Sequence, residues 1–290
     1  MSKTYIEICS GEASPQKNTG YRDNCIESKL LIPILSNGFE FASVTDFKTV
    51  ASHRAAIEAK SIVPLFPVYE LADASTEDTK FESGNFSKVT EKGVEKITFE
   101  CYLSVAAYAA LKSYEDLGNY GELFEFNEEG DYSGVYAVDG VKVKGRKIKS
   151  LQVTRIRATK DKVPYVKGEI TFADKDDVLG AVIVQSDLEE GHLEGIFDLG
   201  LEQVSASATS IKFTAKAGNS FVTSLTVDDV EVRDIAGAIV ATSFVAPGAD
   251  NAYELTGAGF ATGFTVSVKG VVVQTTIMYE GPDPLSIIVT

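Results

Sequence analysis

The side chains that most often carry catalysis are scarce and scattered in this chain. His53 and His192 are the only histidines, and neither stands beside a serine or cysteine motif. Without a nucleophile next to a base, the sequence predicts structural or solvated histidines. Cys9, Cys25 and Cys101 form an odd set without metal-ligand spacing, so we expect buried free thiols and a reducing compartment.

Clusters of acidic residues are the remaining candidates for metal binding or hydrolysis. None has the pattern of a calcium-binding loop, with its glycine and closing glutamate, so we predict acidic surface turns and no metal or cofactor. Paired carboxylates could also hydrolyse a glycosidic bond, but the chain has no tryptophan and only scattered tyrosines for stacking on a sugar. A hydrolase is therefore the third hypothesis, behind two non-enzymatic ones. The clusters are Asp228 and Asp229; Asp174, Asp176 and Asp177; and Glu128, Glu129 and Asp131.

The composition is that of an acidic globular protein with two domains. The chain has 290 residues and a net charge of -15, which argues against nonspecific adhesion to nucleic acid or to an anionic membrane. The N-terminus lacks the apolar core of a signal peptide, and the longest apolar-leaning run, residues 235–249, is too short to span a bilayer. We therefore expect synthesis in the cytoplasm and no membrane association.

The first ninety or so residues combine polar loops with short apolar elements. Residues 1–30 are polar and contain proline and glycine, which predicts an N-terminal arm or, alternatively, plain disorder. The pattern then predicts a strand over 39–44, a helix over 46–60 and an extended edge segment over 61–69, which carries two prolines. Residues 72–87 are acidic and polar and predict a surface loop.

A strand followed by a short helix is the clearest local signal. Residues 96–103 alternate, with apolar side chains such as Phe99 and Cys101 on one face. Ser104 is a suitable N-cap, and Val105, Tyr108 and Leu111 have the spacing of a helical stripe that faces a sheet. Asp139 and Gly140 then predict a hairpin turn between two further strands.

The C-terminal third has a different composition and predicts a second domain. Of the 27 basic residues, 23 fall within residues 1–200, whereas residues 201–290 are rich in Val, Thr, Ser, Ala and Gly. Short strands with turns between them and no helix predict an immunoglobulin-like (Ig-like) β-sandwich, without the Cys–Trp–Cys signature of true immunoglobulin domains. The fold class is therefore mainly β: a β-barrel or sandwich with one packed α-helix over 1–200, and a small Ig-like sandwich over 201–290.

A basic run is the sharpest electrostatic feature. Residues 141–162 contain nine lysines and arginines and one acid, and the segment just before them is strongly acidic. In a head-to-tail ring, a basic face of one subunit could meet an acidic face of the next. A nucleic-acid stripe and a solvated strand face are the alternatives. The predicted interface residues are Lys142, Lys144, Arg146, Lys147, Lys149, Arg155 and Arg157, with Glu122, Glu125, Glu128, Glu129 and Asp131.

The order of several short motifs over roughly residues 80–180 resembles the tail tube (major tail) proteins of tailed bacteriophages, especially phages of Bacteroidetes hosts. The motifs are KITFECYL at 96–103, ALKSY at 110–114, FEFNEEG at 124–130, DGVKVKG at 139–145, LQVTRI at 151–156 and KGEITF at 167–172. Each motif is weak alone, and their order carries the resemblance.

The resemblance implies a virion structural protein with no catalytic residues and no cofactor. Subunits of this family form stacked, typically hexameric rings, and DNA passes through the lumen without sequence-specific binding. The partners would be other copies of the chain and other tail proteins, and the location would be the virion tail. The long loop 36–93 would bridge rings together with the N-terminal arm, and the Ig-like domain would lie on the outside of the tube. Because such lumens are commonly acidic, the basic run would lie at an interface or on the outer wall.

A second hypothesis comes from a different class of protein. The chain could be a capsid or tail decoration protein, or an adhesin, whose Ig-like domain binds a glycan or another protein. A tight and specific ligand for residues 201–290 would favour this alternative.

Overall fold

The structure is a computed structural model that describes residues 29–160, 162–274, 277–281 and 283–289. The predicted fold class, mainly β, is confirmed. The N-terminal arm, Cys9 and Cys25 lie outside the described residues. The chain divides into two compact units between Leu193 and Glu194. This division precedes the predicted boundary at residue 200, which falls inside the strand Ile196–Ala206.

The first unit contains thirteen strands and three helices among its described residues. The helices are α1 (Val44–Lys48), α2 (Val50–Glu58) and α3 (Val105–Lys112), and 3-10 turns cover Lys175–Gly180 and Glu190–Leu193. The strands are β1 (Leu30–Ser36), β2 (Glu40–Phe41), β3 (Ile62–Pro64), β4 (Glu70–Asp73), β5 (Thr79–Ser83), β6 (Phe86–Glu91), β7 (Lys96–Cys101), β8 (Glu122–Asn127), β9 (Asp131–Tyr136), β10 (Val143–Lys144), β11 (Arg146–Ile156), β12 (Tyr165–Phe172) and β13 (Ala181–Gln185).

The long strand β11 joins two sheets of this unit. Its first residues pair with β8, in a sheet that also contains β1, β2, β3, β9, β10 and β13. A register shift between Ile148 and Ser150 then turns the strand, and the rest of β11 pairs with β12. The second sheet has the order β11-β12-β7-β4, and all of its neighbouring strands are antiparallel.

Apolar side chains from both sheets and from α3 form one core. Phe99, Cys101 and Leu111 are buried there, as the alternation and the helical stripe predicted, whereas Val105 is exposed. Ser104 caps α3 as predicted, because its hydroxyl accepts the Ala107 N–H at 3.1 Å. A Cβ on the opposing Gly168 would lie only 2.1 Å from the Phe99 ring, so this ring can cross β12 only at a glycine.

Residues 36–93, predicted as one long loop, do not form a single loop. The segment contains β2 to β6 together with α1 and α2, and Phe41, Phe47 and Ile57 are buried. The predicted helix over 46–60 is present as two short helices, α1 and α2, so the unit has three helices where the predicted fold class named one. The predicted acidic loop 72–87 includes the end of β4 and the hairpin β5–β6, because the residues of this ribbon pair with one another although they are exposed.

The second unit packs two sheets around one core. One sheet has the order β19-β20-β15-β14-β23-β22 with β16 beside β15, and the other has the order β18-β17-β21-β24. Tyr253 is buried in this core, where its hydroxyl donates to Val222 O and accepts from Leu225 N, both at 2.9 Å. The strands are β14 (Ile196–Ala206), β15 (Ser210–Ala217), β16 (Ser220–Phe221), β17 (Val230–Arg233), β18 (Ile239–Val240), β19 (Ser243–Val245), β20 (Tyr253–Thr256), β21 (Thr265–Val268), β22 (Val271–Gln274), β23 (Ile277–Glu280) and β24 (Leu285–Ser286).

Within the described residues, no helix combines the length and the apolar character that a membrane crossing requires.

Candidate assembly surfaces

The first part of the predicted basic face is paired with acids of the same chain. Lys142 lies 3.0 Å from Glu40, and Lys144 lies 4.0 Å from Glu122. Glu40 lies on β2, which pairs with β10, and Glu122 lies on β8, which is separated from β10 by β9 in the first sheet. Each of these two lysines therefore has an acidic neighbour in its own subunit.

Arg146 is a structural residue of the core margin. It is only 9% exposed and binds Glu95 through two hydrogen bonds of 2.8 and 2.6 Å. Its guanidinium carbon lies 4.0 Å from the centre of the Phe172 ring, and one of its nitrogens lies 3.9 Å from Glu125. The bidentate, partly buried ion pair with Glu95 and the stacking of the guanidinium on the Phe172 ring fix the position of Arg146. Arg146 thus holds the subunit together, and the sequence alone predicted an interface role for it.

The predicted acidic partners are also used within the chain. Glu128 lies 3.0 Å from Lys29, and the Asp131 carboxylate accepts a hydrogen bond from the Asn127 side chain at 3.4 Å, whereas Glu129 is exposed. Burial raises the pKa of Glu122, which lines a shallow hollow beside Lys147. The acids therefore form no continuous exposed face in the described part of the chain.

The remaining predicted bases are exposed and have no salt-bridge partner among the described residues. They are Lys147, Lys149, Arg155 and Arg157. Three of them lie on β11 itself, and Arg157 follows directly after it. The predicted basic run is thus divided into an internally paired half and an exposed half.

The second sheet ends in two strands that have no strand partner on their outer side in the described chain. Beyond Lys147, β11 pairs only with β12, and β4 pairs only with β7. The β11 sequence RKIKSLQVTRI carries four bases and no acid, whereas the β4 sequence ELAD carries two acids and no base. The sheet therefore has two open edges of opposite charge, which can pair with another strand.

The two ends of the same sheet carry exposed aromatic side chains. At one end, the β5–β6 hairpin continues the β4–β7 ribbon and exposes 55% of Phe81 and 57% of Phe86. At the opposite end, Tyr69 and Tyr102 are 57% and 50% exposed, with ring centres 5.5 Å apart, and the Tyr165 ring follows at 6.5 Å from Tyr102. Neither feature was predicted from the sequence, although Gly84 and Asn85, between Ser83 and Phe86, are a turn signal for a hairpin.

The residues that could have carried chemistry have structural environments. His53 is fully buried, and its Nε2 lies 2.9 Å from the Phe47 carbonyl oxygen. His192 Nδ1 accepts the Glu189 N–H at 3.0 Å within a 3-10 turn. Burial raises the pKa of the Cys101 thiol to about 11, which keeps it protonated and unreactive. Among the described residues, no group of three or more His, Cys, Asp or Glu side chains has a geometry that could hold a metal ion.

Comparison with known proteins leaves the family open. No protein-family model matches the chain, and no curated protein matches it. The likeness to tail tube proteins therefore rests on the order of the sequence motifs, and the assembly surfaces stand on the geometry of the subunit.

Proposed function

We propose that this protein is a virion structural protein, a tail tube subunit that assembles with copies of itself into closed, stacked rings that conduct DNA. The observation that carries the proposal is the sheet β11-β12-β7-β4, with its two open edges of opposite charge. Unpaired, exposed edges are a liability that soluble proteins usually cover, and pairing with a neighbour removes it.

The order of the strands supports edge-to-edge pairing between copies. Because every neighbouring pair in this sheet is antiparallel, β4 runs opposite to β11. A second copy placed with its β4 beside β11 therefore continues the antiparallel alternation. The contact joins two different surfaces, and each subunit carries both of them. Repetition of such a contact around an axis gives a closed ring when the rotation between copies closes, and an open filament otherwise. The tail tube role that we propose requires such a closed ring.

The ends of the sheet support stacking of such rings. If the sheet edges pair sideways, the exposed β5–β6 hairpin points along the axis at one end and the exposed tyrosines lie at the other. Exposed aromatic side chains are enriched in protein interfaces and supply much of their binding energy. The basic residues Arg155 and Arg157 adjoin the tyrosine end, which suits contact with an acidic protein surface.

Charge reversal on each edge tests this proposal. In the first variant, Lys149→Glu with Arg155→Glu makes both edges acidic, and in the second, Glu70→Lys with Asp73→Lys makes both edges basic. All four side chains are exposed, so the subunit should keep its fold. Light scattering and negative-stain electron microscopy should reveal rings or tubes for the wild type and monomers for each variant alone.

An equal mixture of the two variants provides the matched control. An acidic β11 can then meet a basic β4, and a basic β11 can meet an acidic β4, so assembly should return in the mixture. If the wild type stays monomeric at high concentration, or if the mixture fails while the wild type assembles, edge pairing between copies is wrong.

One feature of the second unit favours the alternative function, a decoration protein or adhesin. Residues 235–248 contain no charged side chain, and Ile235, Ile239 and Val245 are 72%, 66% and 51% exposed. Exposed apolar stretches of this kind often mark binding sites for other molecules. A glycan array and a pull-down with the full chain test it, and specific binding that is lost in Ile235→Ser with Ile239→Ser would favour this alternative.

A further inference from the structure

The open edge of β11 is occupied in the subunit by a pair of side chains from α3 and the residues after it. Glu115 Oε1 accepts the Val153 N–H at 2.8 Å, and Lys112 Nζ lies 3.5 Å from the Val153 carbonyl oxygen. The same ammonium lies 2.5 Å from Glu115 Oε2. The Lys112–Glu115 ion pair therefore contacts both the N–H and the C=O group of Val153, in the middle of the β11 edge.

These contacts match those that a neighbouring strand would make. In an antiparallel strand the backbone N–H and C=O groups of alternate residues face the same side. The backbone groups of Leu151 and Arg155 therefore face the open edge, as those of Val153 do. A paired strand would donate one N–H to the Val153 carbonyl and accept the Val153 N–H with one carbonyl. Lys112 supplies the same kind of donor and Glu115 the same kind of acceptor, so the ion pair imitates a strand at this position.

We infer that Lys112 and Glu115 form a clamp that closes the β11 edge in the free subunit and opens when β4 of a second copy pairs there. This inference rests on the proposed function, because it names how the proposed edge contact is regulated. The clamp prevents an isolated subunit from pairing with unrelated strands, which is the hazard of an open edge. Assembly then begins only where a second copy offers enough contacts to displace the clamp.

The position of the pair allows such displacement. The side chains of Lys112 and Glu115 are 48% and 25% exposed, so water can solvate both as they leave Val153. Lys112 ends α3, and Glu115 lies three residues later, in the turn that follows the helix. The hydrogen bond from Lys112 is the largest cause that lowers the pKa of Glu115, which keeps the carboxylate charged and the clamp formed at neutral pH.

Removing the clamp tests this inference. In Glu115→Ala, the lag before assembly of the full chain should shorten by about tenfold, the factor expected when one modest hydrogen bond no longer opposes the rate-limiting step. Lys112→Ala should act in the same direction. Glu58→Ala is the matched control, because it removes an equally charged, exposed helical side chain far from β11 in sequence and should leave the lag unchanged.

Hydrogen exchange provides the second readout, which does not depend on assembly. In the monomer at low concentration, the Val153 amide should exchange faster in Glu115→Ala than in the wild type, while the core amides of β12 stay protected. Equal exchange of Val153 in both proteins would overturn the clamp. Circular dichroism of each variant checks that the fold is retained.

The outcomes separate the clamp from the proposed function. A wild type that assembles, together with a Glu115→Ala variant that assembles at the same rate or more slowly, overturns the clamp and leaves the tail tube role standing. If neither protein assembles at any concentration, both the clamp and the tail tube role are wrong, because no second copy then pairs with the β11 edge.

Discussion

Acidification to pH 5 should destabilise the first unit through a single buried histidine. His53 is enclosed by the rings of Phe41, Phe47 and Tyr132, with ring centres 4.6, 6.1 and 4.5 Å away. Burial lowers its pKa from 6.5 to about 4, against a smaller opposing effect of the hydrogen bond to Phe47. Since a carbonyl oxygen can only accept, Nε2 carries the proton and Nδ1 is left without a hydrogen-bond partner in the described residues.

The size of the effect follows from the two pKa values. Below pH 6.5, His53 binds a proton in the unfolded chain but not in the folded chain. The contribution of His53 to the free energy of unfolding is therefore fully present above that pH and is lost as the pH falls towards 4. The loss amounts to about 2 kcal/mol at pH 5 and reaches about 3 kcal/mol below pH 4. Replacing His53 by a side chain that does not titrate should therefore remove this part of the pH dependence of stability.

Urea unfolding at pH 7 and pH 5 measures the effect. The wild type and His53→Phe are compared in a His192→Gln background, where His53 is the only histidine left. The phenylalanine loses the hydrogen bond to Phe47 at both pH values, so only the difference between the two pH values is diagnostic. An unfolding free energy that falls equally in both proteins between pH 7 and pH 5 would refute the reasoning.

Three further predictions concern packing and pairing. Gly168→Ala should lower stability by about 1–3 kcal/mol, since the new methyl group would overlap the Phe99 ring, and thermal unfolding measures it. Arg146→Met should cost about 2–4 kcal/mol in urea unfolding, because it leaves the Glu95 carboxylate without its two-pronged partner, whereas a loss under 1 kcal/mol would mean that water replaces the guanidinium. Phe86→Ser should leave the melting temperature unchanged, because the side chain is exposed, yet reduce tube length in electron micrographs.

Elements with local signals could be predicted from the sequence. The Ser104 cap, the alternation of β7 and the turn at Asp139 and Gly140 depend only on residues a few positions apart, and the structure contains all three. The β5–β6 hairpin was interpreted as a loop because all of its residues are exposed, so burial leaves no alternating pattern of apolar and polar positions. Alternation of apolar and polar residues arises when one face of an element packs against a core. An element without such packing cannot be recognised from this pattern.

Pairs that are distant in the sequence could not be predicted in this way. Arg146 meets Glu95 across 51 positions, and Lys142 meets Glu40 across 102. The sequence analysis assigned these bases to contacts between subunits, and its nearest acidic segment was only one of several candidate partners. Sheet topology selects the true partners. Glu40 lies on β2, which pairs with β10 beside Lys142, and the Glu95 carbonyl accepts the N–H of Phe172, on whose ring Arg146 lies.

The division of the basic run explains how one strand can serve both folding and assembly. Where β11 joins the first sheet, Arg146 is enclosed and needs a partner in its own chain, since a buried charge without one is costly. Beyond Lys147 the strand has a partner strand on one side only among the described residues. Lys149 and Arg155 are exposed to water there, so they can remain without an acidic partner until another molecule binds. Charges that stay in water contribute little to the stability of a monomer, but they select the partner and the orientation of an encounter. In the proposed assembly, the acidic edge of the same sheet supplies that selectivity in one direction only, and a directional contact of this kind would join copies head to tail.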